Sequence, residues 1–203
     1  MSSNIQSYES VNAFWFGQVE TTIVPSEQRA KIWFGENDDI DMLIKDEYGH
    51  HVAALASGQH PEWLSNPHGQ LAAILVLDQF SRHIYRGKPE AYAQDALALE
   101  ICLNGIKQEA DHQLSLIERV FYYFPLLHSE KLEHQFQSIR SYQLLSELAL
   151  AETKAVFDSF LKFANHHYTV IESFGRFPQR NAFLDRISTP DELGYLTEIQ
   201  DRE

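Results

Sequence analysis

Apolar residues along this chain recur every three to four positions, the period of a helix with one buried face, and nowhere alternate in the two-residue period of a strand. The most apolar run, LAAILVL (71–77), passes directly into DQFSRHIYRG (78–87), where apolar and ionisable residues alternate. At helical spacing Asp78, Arg82 and Arg86 share one face, with Tyr85 beside them. An Asp that follows seven apolar residues is expected to be at least partly buried and to need a partner, and Arg82 is the nearest.

Taken in order, residues 1–8 read as a frayed tail. A short helix, VNAFWFG, opens at Glu9 or Ser10 and closes at Gly17. Next, TTIVPSEQRAKIWFG places Pro25 at a first helical position and Gly35 at a C-cap. The acidic run ENDDID (36–41) is the N-terminal turn of a helix over 39–56, where acids suit the macrodipole. It lacks the alternating ligands and closing Glu of a calcium loop. Residues 60–67 connect to a central helix over 68–81, extending to about residue 85, with Trp63 in the core. Pro89 opens the next helix, EAYAQDALALEICLNGI, which Asn104-Gly105 ends or weakens. An aromatic helix over 116–124 stops near Pro125, and Ser129 caps KLEHQFQSIRSYQLLSELAL. A long helix over 152–173 ends at Gly175. The loop RFPQRN, a short helix over 182–186 and a capped final helix from Ser188 complete the chain.

The class is therefore all-α, with eight to ten helices on short loops in a single domain, 1–203. Among 203 residues the net charge is −13, which excludes a nucleic-acid backbone and an anionic membrane as partners. No apolar run reaches a membrane span and the N-terminus has no secretory pattern, so the expected home is the cytoplasm. A lone cysteine, Cys102, lies in an apolar run and reads as an inert core thiol.

Of the nine arginines, Arg82, Arg86, Arg119, Arg176, Arg180 and Arg186 lie in compact motifs beside aromatics and glycines. Arginine tolerates partial burial through bidentate pairing. These six either tie the fold together through Asp78, Asp95, Glu118, Glu130 and Asp185, or line a pocket for a carboxylate or phosphate. GRFPQRN (175–181) reads as a corner or as an anion clamp between Arg176 and Arg180, with Asn181 as the cap of the next helix. LLHSEKLEH holds His128, Glu130 and His134, but the spacing is not that of a metalloprotease helix, and a His donating to a carboxylate outweighs a metal ligand. No P-loop, dinucleotide fingerprint or nucleophile elbow is present, and no metal or cofactor is expected.

The segments LDQFSRHIYRG, FYYFPLLHSE and HYTVIESFGRFPQRN followed by STPDEL together resemble the bacterial domain-of-unknown-function 924 family. The resemblance spans nearly the whole chain. It implies a tetratricopeptide-like all-helical array of antiparallel pairs, without an assigned activity. It also marks Asp78, Gln79, Phe80, Arg82, Tyr85, Arg86, Pro125, His128, Ser129, Glu130 and His167 as motif positions. Phe174, Gly175, Arg176, Pro178, Arg180 and Asn181 complete the set. This chain departs at Ser81 (usually Pro), His83 (usually Asn), Gln179 (usually His) and Asp185 (usually Gly).

The leading expectation is a binding module. Arg82, Arg86, Tyr85, Arg176, Arg180 and Asn181 would hold a small anionic ligand or a peptide carboxylate. The alternative is an enzyme on a small anionic metabolite, with His128 or His167 as acid or base and Asp78 and Glu130 orienting them. A third possibility is a purely structural polar lattice. The paired motifs FWFG and IWFG admit a homodimer, with core packing as the simpler use.

Overall fold

The computed structural model describes residues 7–17 and 25–201; the proposed tail up to residue 6 and the TTIV segment lie outside them. Every regular element among these residues is helical: α1 (Tyr8–Phe16), α2 (Glu27–Phe34), α3 (Asp38–Ala56), α4 (Pro67–Ile74), a π-turn (Leu75–Phe80), α5 (Ser81–Ile84), α6 (Asp95–Lys107), α7 (Leu116–Tyr122), α8 (Phe124–His128), α9 (Leu132–Leu148), α10 (Lys154–Phe174) and α11 (Pro190–Gln200). Counting 67–84 and 116–128 each as one interrupted helix, nine α-helices cover the described residues, within the eight to ten expected.

The apolar run became the centre of the molecule. Residues 71–77 are fully buried, and α1, α3 and α6 pack around the helix that carries them. This helix is not uniform. Its turn from Leu75 to Phe80 is π-helical and carries both Asp78 and Gln79 into the interior. A π-turn widens the helix by one residue and forfeits regular bonding, a cost usually met where side chains must be aimed. On the other side α9 and α10 form a hairpin that packs on α8 through α10 and on α7 through α9.

The FWFG and IWFG motifs meet in this core. Trp33 donates its indole N–H to the Trp15 carbonyl at 2.9 Å, and both Trp15 and Trp33 pack on Phe121. Cys102 is buried and burial pushes its thiol up, as expected of an inert core residue. Asn37 caps α3 by accepting from the Asp39 and Ile40 amides, so the acidic run opens a helix.

Several boundaries differ from expectation. The helix α1 begins at Tyr8, inside the expected tail, and Tyr8 packs on Trp63. Ser26, not Pro25, leads into α2, because its hydroxyl accepts from the Arg29 amide. Pro89 opens only a 3-10 turn, Pro89–Tyr92, and α6 starts afresh at Asp95. Gly105 does not end α6. A Cβ there would lie 1.6 Å from the Tyr122 hydroxyl, so glycine lets α7 approach. Pro125 sits in the first turn of α8 instead of stopping the aromatic helix, and Lys131, not Ser129, precedes α9. Residues 182–185 are turn and not helix, with Asp185 in the left-handed region at φ 51°.

Candidate functional site

The site grows from the π-turn. Asp78 is fully buried and sits between three partners. Gln79 donates to its Oδ2, Arg82 one turn on reaches its Oδ1 at 3.1 Å, and His128 at the end of α8 lies 2.7 Å away through Nδ1. Burial pushes the Asp78 carboxyl up, and the Arg82 guanidinium and His128 imidazole more than offset it, so Asp78 stays ionised. An ionised carboxylate only accepts, so the His128 Nδ1 carries the proton and its Nε2 is the basic nitrogen. That Nε2 has no hydrogen-bond partner among the described residues, and His128 lines an open cleft. Burial, then the nearby Arg82, lower the His128 pKa against the pull of Asp78, so the ring is neutral at pH 7.

The cleft, about 450 Å³, lies over the junction of the Pro89–Tyr92 turn, α6 and α8. Tyr92, Asp95, His128, Glu130, Lys131 and Arg180 line it. Arg82 grips Asp95 with both terminal nitrogens, at 2.9 and 3.0 Å. Arg180 touches the same Asp95 at 3.3 Å and donates to the His128 carbonyl at 3.0 Å. Its guanidinium stacks on Tyr92 at 4.9 Å and on Phe177 at 4.6 Å. Two carboxylates and two guanidiniums thus meet around one neutral imidazole.

The other sequence-selected residues fall elsewhere or serve other ends. His167 packs on Phe177 at 5.3 Å and donates Nδ1–H to the Phe163 carbonyl at 3.0 Å. Burial first, then His128, bring its pKa down to about 3. Glu130 accepts two bonds from Arg186, at 2.7 and 3.0 Å, and one from the Phe177 amide at 2.8 Å. Arg176 grips Glu192 at 2.6 and 2.8 Å and donates to the Ile187 carbonyl. Asn181 joins the same knot through Ser188 and Glu192. Arg86 pairs with Asp41 at 2.7 and 2.9 Å beside His83, and Tyr85 packs against the core. Arg82 and Arg180 therefore converge, whereas Arg86 and Arg176 each close a separate ion pair. His134 meets the Ser129 hydroxyl at 2.9 Å, outside the Asp78 cluster.

Tyr92 was not singled out from sequence. A Tyr three residues before Asp95 offered a signal, but it was hidden while 90–106 read as one uninterrupted helix. The turn at Pro89–Tyr92 is what sets the ring across both guanidiniums. Phe177, on whose ring Arg180 also stacks, lies three residues before it inside GRFPQRN but was not singled out there.

A family model described as a bacterial protein of unknown function (DUF924) matches residues 11–200. Among solved structures, that of a protein of unknown function, ATU0120, from Agrobacterium tumefaciens is 34% identical, with a TM-score of 0.72. The match covers 82% of this chain and 88% of that one. No curated protein matches the chain.

Proposed function

The chain belongs to the bacterial DUF924 family, and we propose that its cleft over Tyr92, His128 and Arg180 captures a small anionic ligand in the cytoplasm. The ligand class is a metabolite carboxylate or phosphate, or a peptide carboxylate. One observation carries the reading. The guanidinium of Arg180, a residue 8% exposed, lies over two aromatic rings, Tyr92 and Phe177, at the cleft, and its carboxylate contact is an Asp95 already gripped by Arg82. A buried cation with a shared counter-charge gains from a further anion. Lys131 adds charge on the same wall.

A thermal-shift screen of small carboxylates and phosphomonoesters tests it. A ligand at about a hundred times its dissociation constant adds ~2.7 kcal/mol, a rise of several degrees. Tyr92→Ala, which removes the stacking ring, is expected to abolish the shift. A screen without any stabilising anion contradicts the reading.

The Asp78–His128 pair favours a second reading, an enzyme that moves a proton on the bound anion. A neutral imidazole fixed by a buried carboxylate, lining a cleft and with its basic Nε2 unpartnered among the described residues, is equipped to act as a general base. His128→Asn should then bind the ligand and fail to transform it. A hit recovered unaltered after long incubation with the wild type rules this reading out.

A further inference from the structure

A second cleft, of about 660 Å³, opens beside α7 and α9 and shares no lining residue with the first. Its polar floor is a chain of three buried groups. Arg119, 6% exposed, donates its Nε–H to the Tyr123 oxygen at 3.1 Å, and Tyr123 donates to Oδ2 of Asp111, itself 4% exposed. Two capacities in this chain are left over. Asp111 Oδ1 is buried and accepts no hydrogen bond. The terminal nitrogens of Arg119 make no hydrogen bond among the described residues, the carboxylate of Asp111 lying 3.8 Å away. Arg140, exposed on α9, lines the same cleft without a partner among the described residues. Phe136 and Leu144, 57% and 41% exposed, add apolar surface, and Glu133 and His112 line it from exposed positions.

We propose that this cleft is a second ligand site, for a small carboxylate with a hydrogen-bond donor on the adjacent carbon and an apolar side chain: an apolar α-amino acid or its α-hydroxy counterpart. The paired terminal nitrogens of Arg119 match the two oxygens of a carboxylate, and Arg140 adds a second positive charge. The donor satisfies Asp111 Oδ1, which otherwise bears the cost of an unmade bond. The side chain covers Phe136 and Leu144.

Calorimetry of the full chain with L-leucine, 2-hydroxy-4-methylpentanoate and 4-methylpentanoate tests the assignment. The first two should bind at least fivefold more tightly than the third, which lacks the donor. Arg140→Gln, at an exposed position, should weaken all three at least threefold. Asp111→Asn, checked for native helix content by circular dichroism, should erase the advantage of the donor-bearing pair. No heat from any of the three at millimolar concentration overturns the proposal. So does binding that Arg180→Lys abolishes while Arg140→Gln leaves it intact, because the carboxylate then sits in the first cleft.

Discussion

Two clusters of Arg and acid, built from the same residue types, end in different states. In the C-terminal knot, Glu192 accepts from Arg176, Asn181 and the Thr189 amide, while Glu130 accepts from Arg186 and the Phe177 amide. The Arg176 bonds, above all, hold Glu192 down to about 2. Both carboxylates are held by several donors, and the knot fastens the turn at 182–185 onto α11 and the loop between α8 and α9. In the π-turn cluster, Asp78 is as well satisfied, but the imidazole it orients and the guanidinium beside it keep unspent capacity at a cleft. A buried ion pair alone says little about function; the knot too keeps unpartnered atoms among the described residues, Asn181 Oδ1 and Arg186 Nε, but they are buried, whereas His128 and Arg180 line an open cleft.

The comparison breaks most sharply at Asp78. Asp78→Ala leaves Arg82 and His128 around an empty site and should cost about 3–5 kcal/mol in urea unfolding. A loss below about 1 kcal/mol would mean that the cluster is not a buried network at all. Glu192→Ala removes a capping-box member and the partner of Arg176, and should cost about 2 kcal/mol with ligand binding untouched. Acid should weaken the fold through two histidines, His128 in the π-turn cluster and His167 packed on Phe177 outside it. The His167 and His128 pKa values are lowered in the fold, so below about 6.5 the unfolded chain takes up protons that the native chain refuses. Their stability is fully present above that pH and falls as pH drops, for His167 until about 3, at about 1.4 kcal/mol per unit for each ring. His167→Asn should flatten the acid limb of a pH-stability curve; an unchanged slope counts against the burial of that ring. The smallest effect belongs to the knot. Asp185 holds a left-handed backbone at φ 51°, a conformation glycine adopts without strain, so Asp185→Gly should stabilise by about 1 kcal/mol at most, read by thermal melting.

Much of this was legible from the chain. The buried run at 71–77, the Asp78–Arg82 tie and the cap at Thr189 rest on local spacing, because helical contacts are made three and four residues apart. The internal ties of Arg82 and Arg186 to acids were expected by kind as well. The aromatic seat of Arg180 was not legible, since Tyr92 and Phe177 are brought together across 85 residues by the fold. Nor was the division of the arginines between cleft and knot. Arg176 and Arg180 are four residues apart on paper, but the 3-10 turn Pro178–Arg180 sends one to Glu192 and the other to Asp95. The π-turn left no trace in the periodicity, because one inserted residue shifts a helical face without erasing it.

The most direct test measures ligand affinity and melting temperature together for Arg180→Lys and Arg176→Lys, using whichever anion stabilises the wild type. Lysine keeps the charge but loses the planar fork and the stacking. The account predicts that Arg180→Lys loses at least tenfold in affinity, while Arg176→Lys binds as the wild type does and melts lower. Equal affinity for Arg180→Lys and wild type, or a loss confined to Arg176→Lys, would contradict it and move the ligand site to the knot.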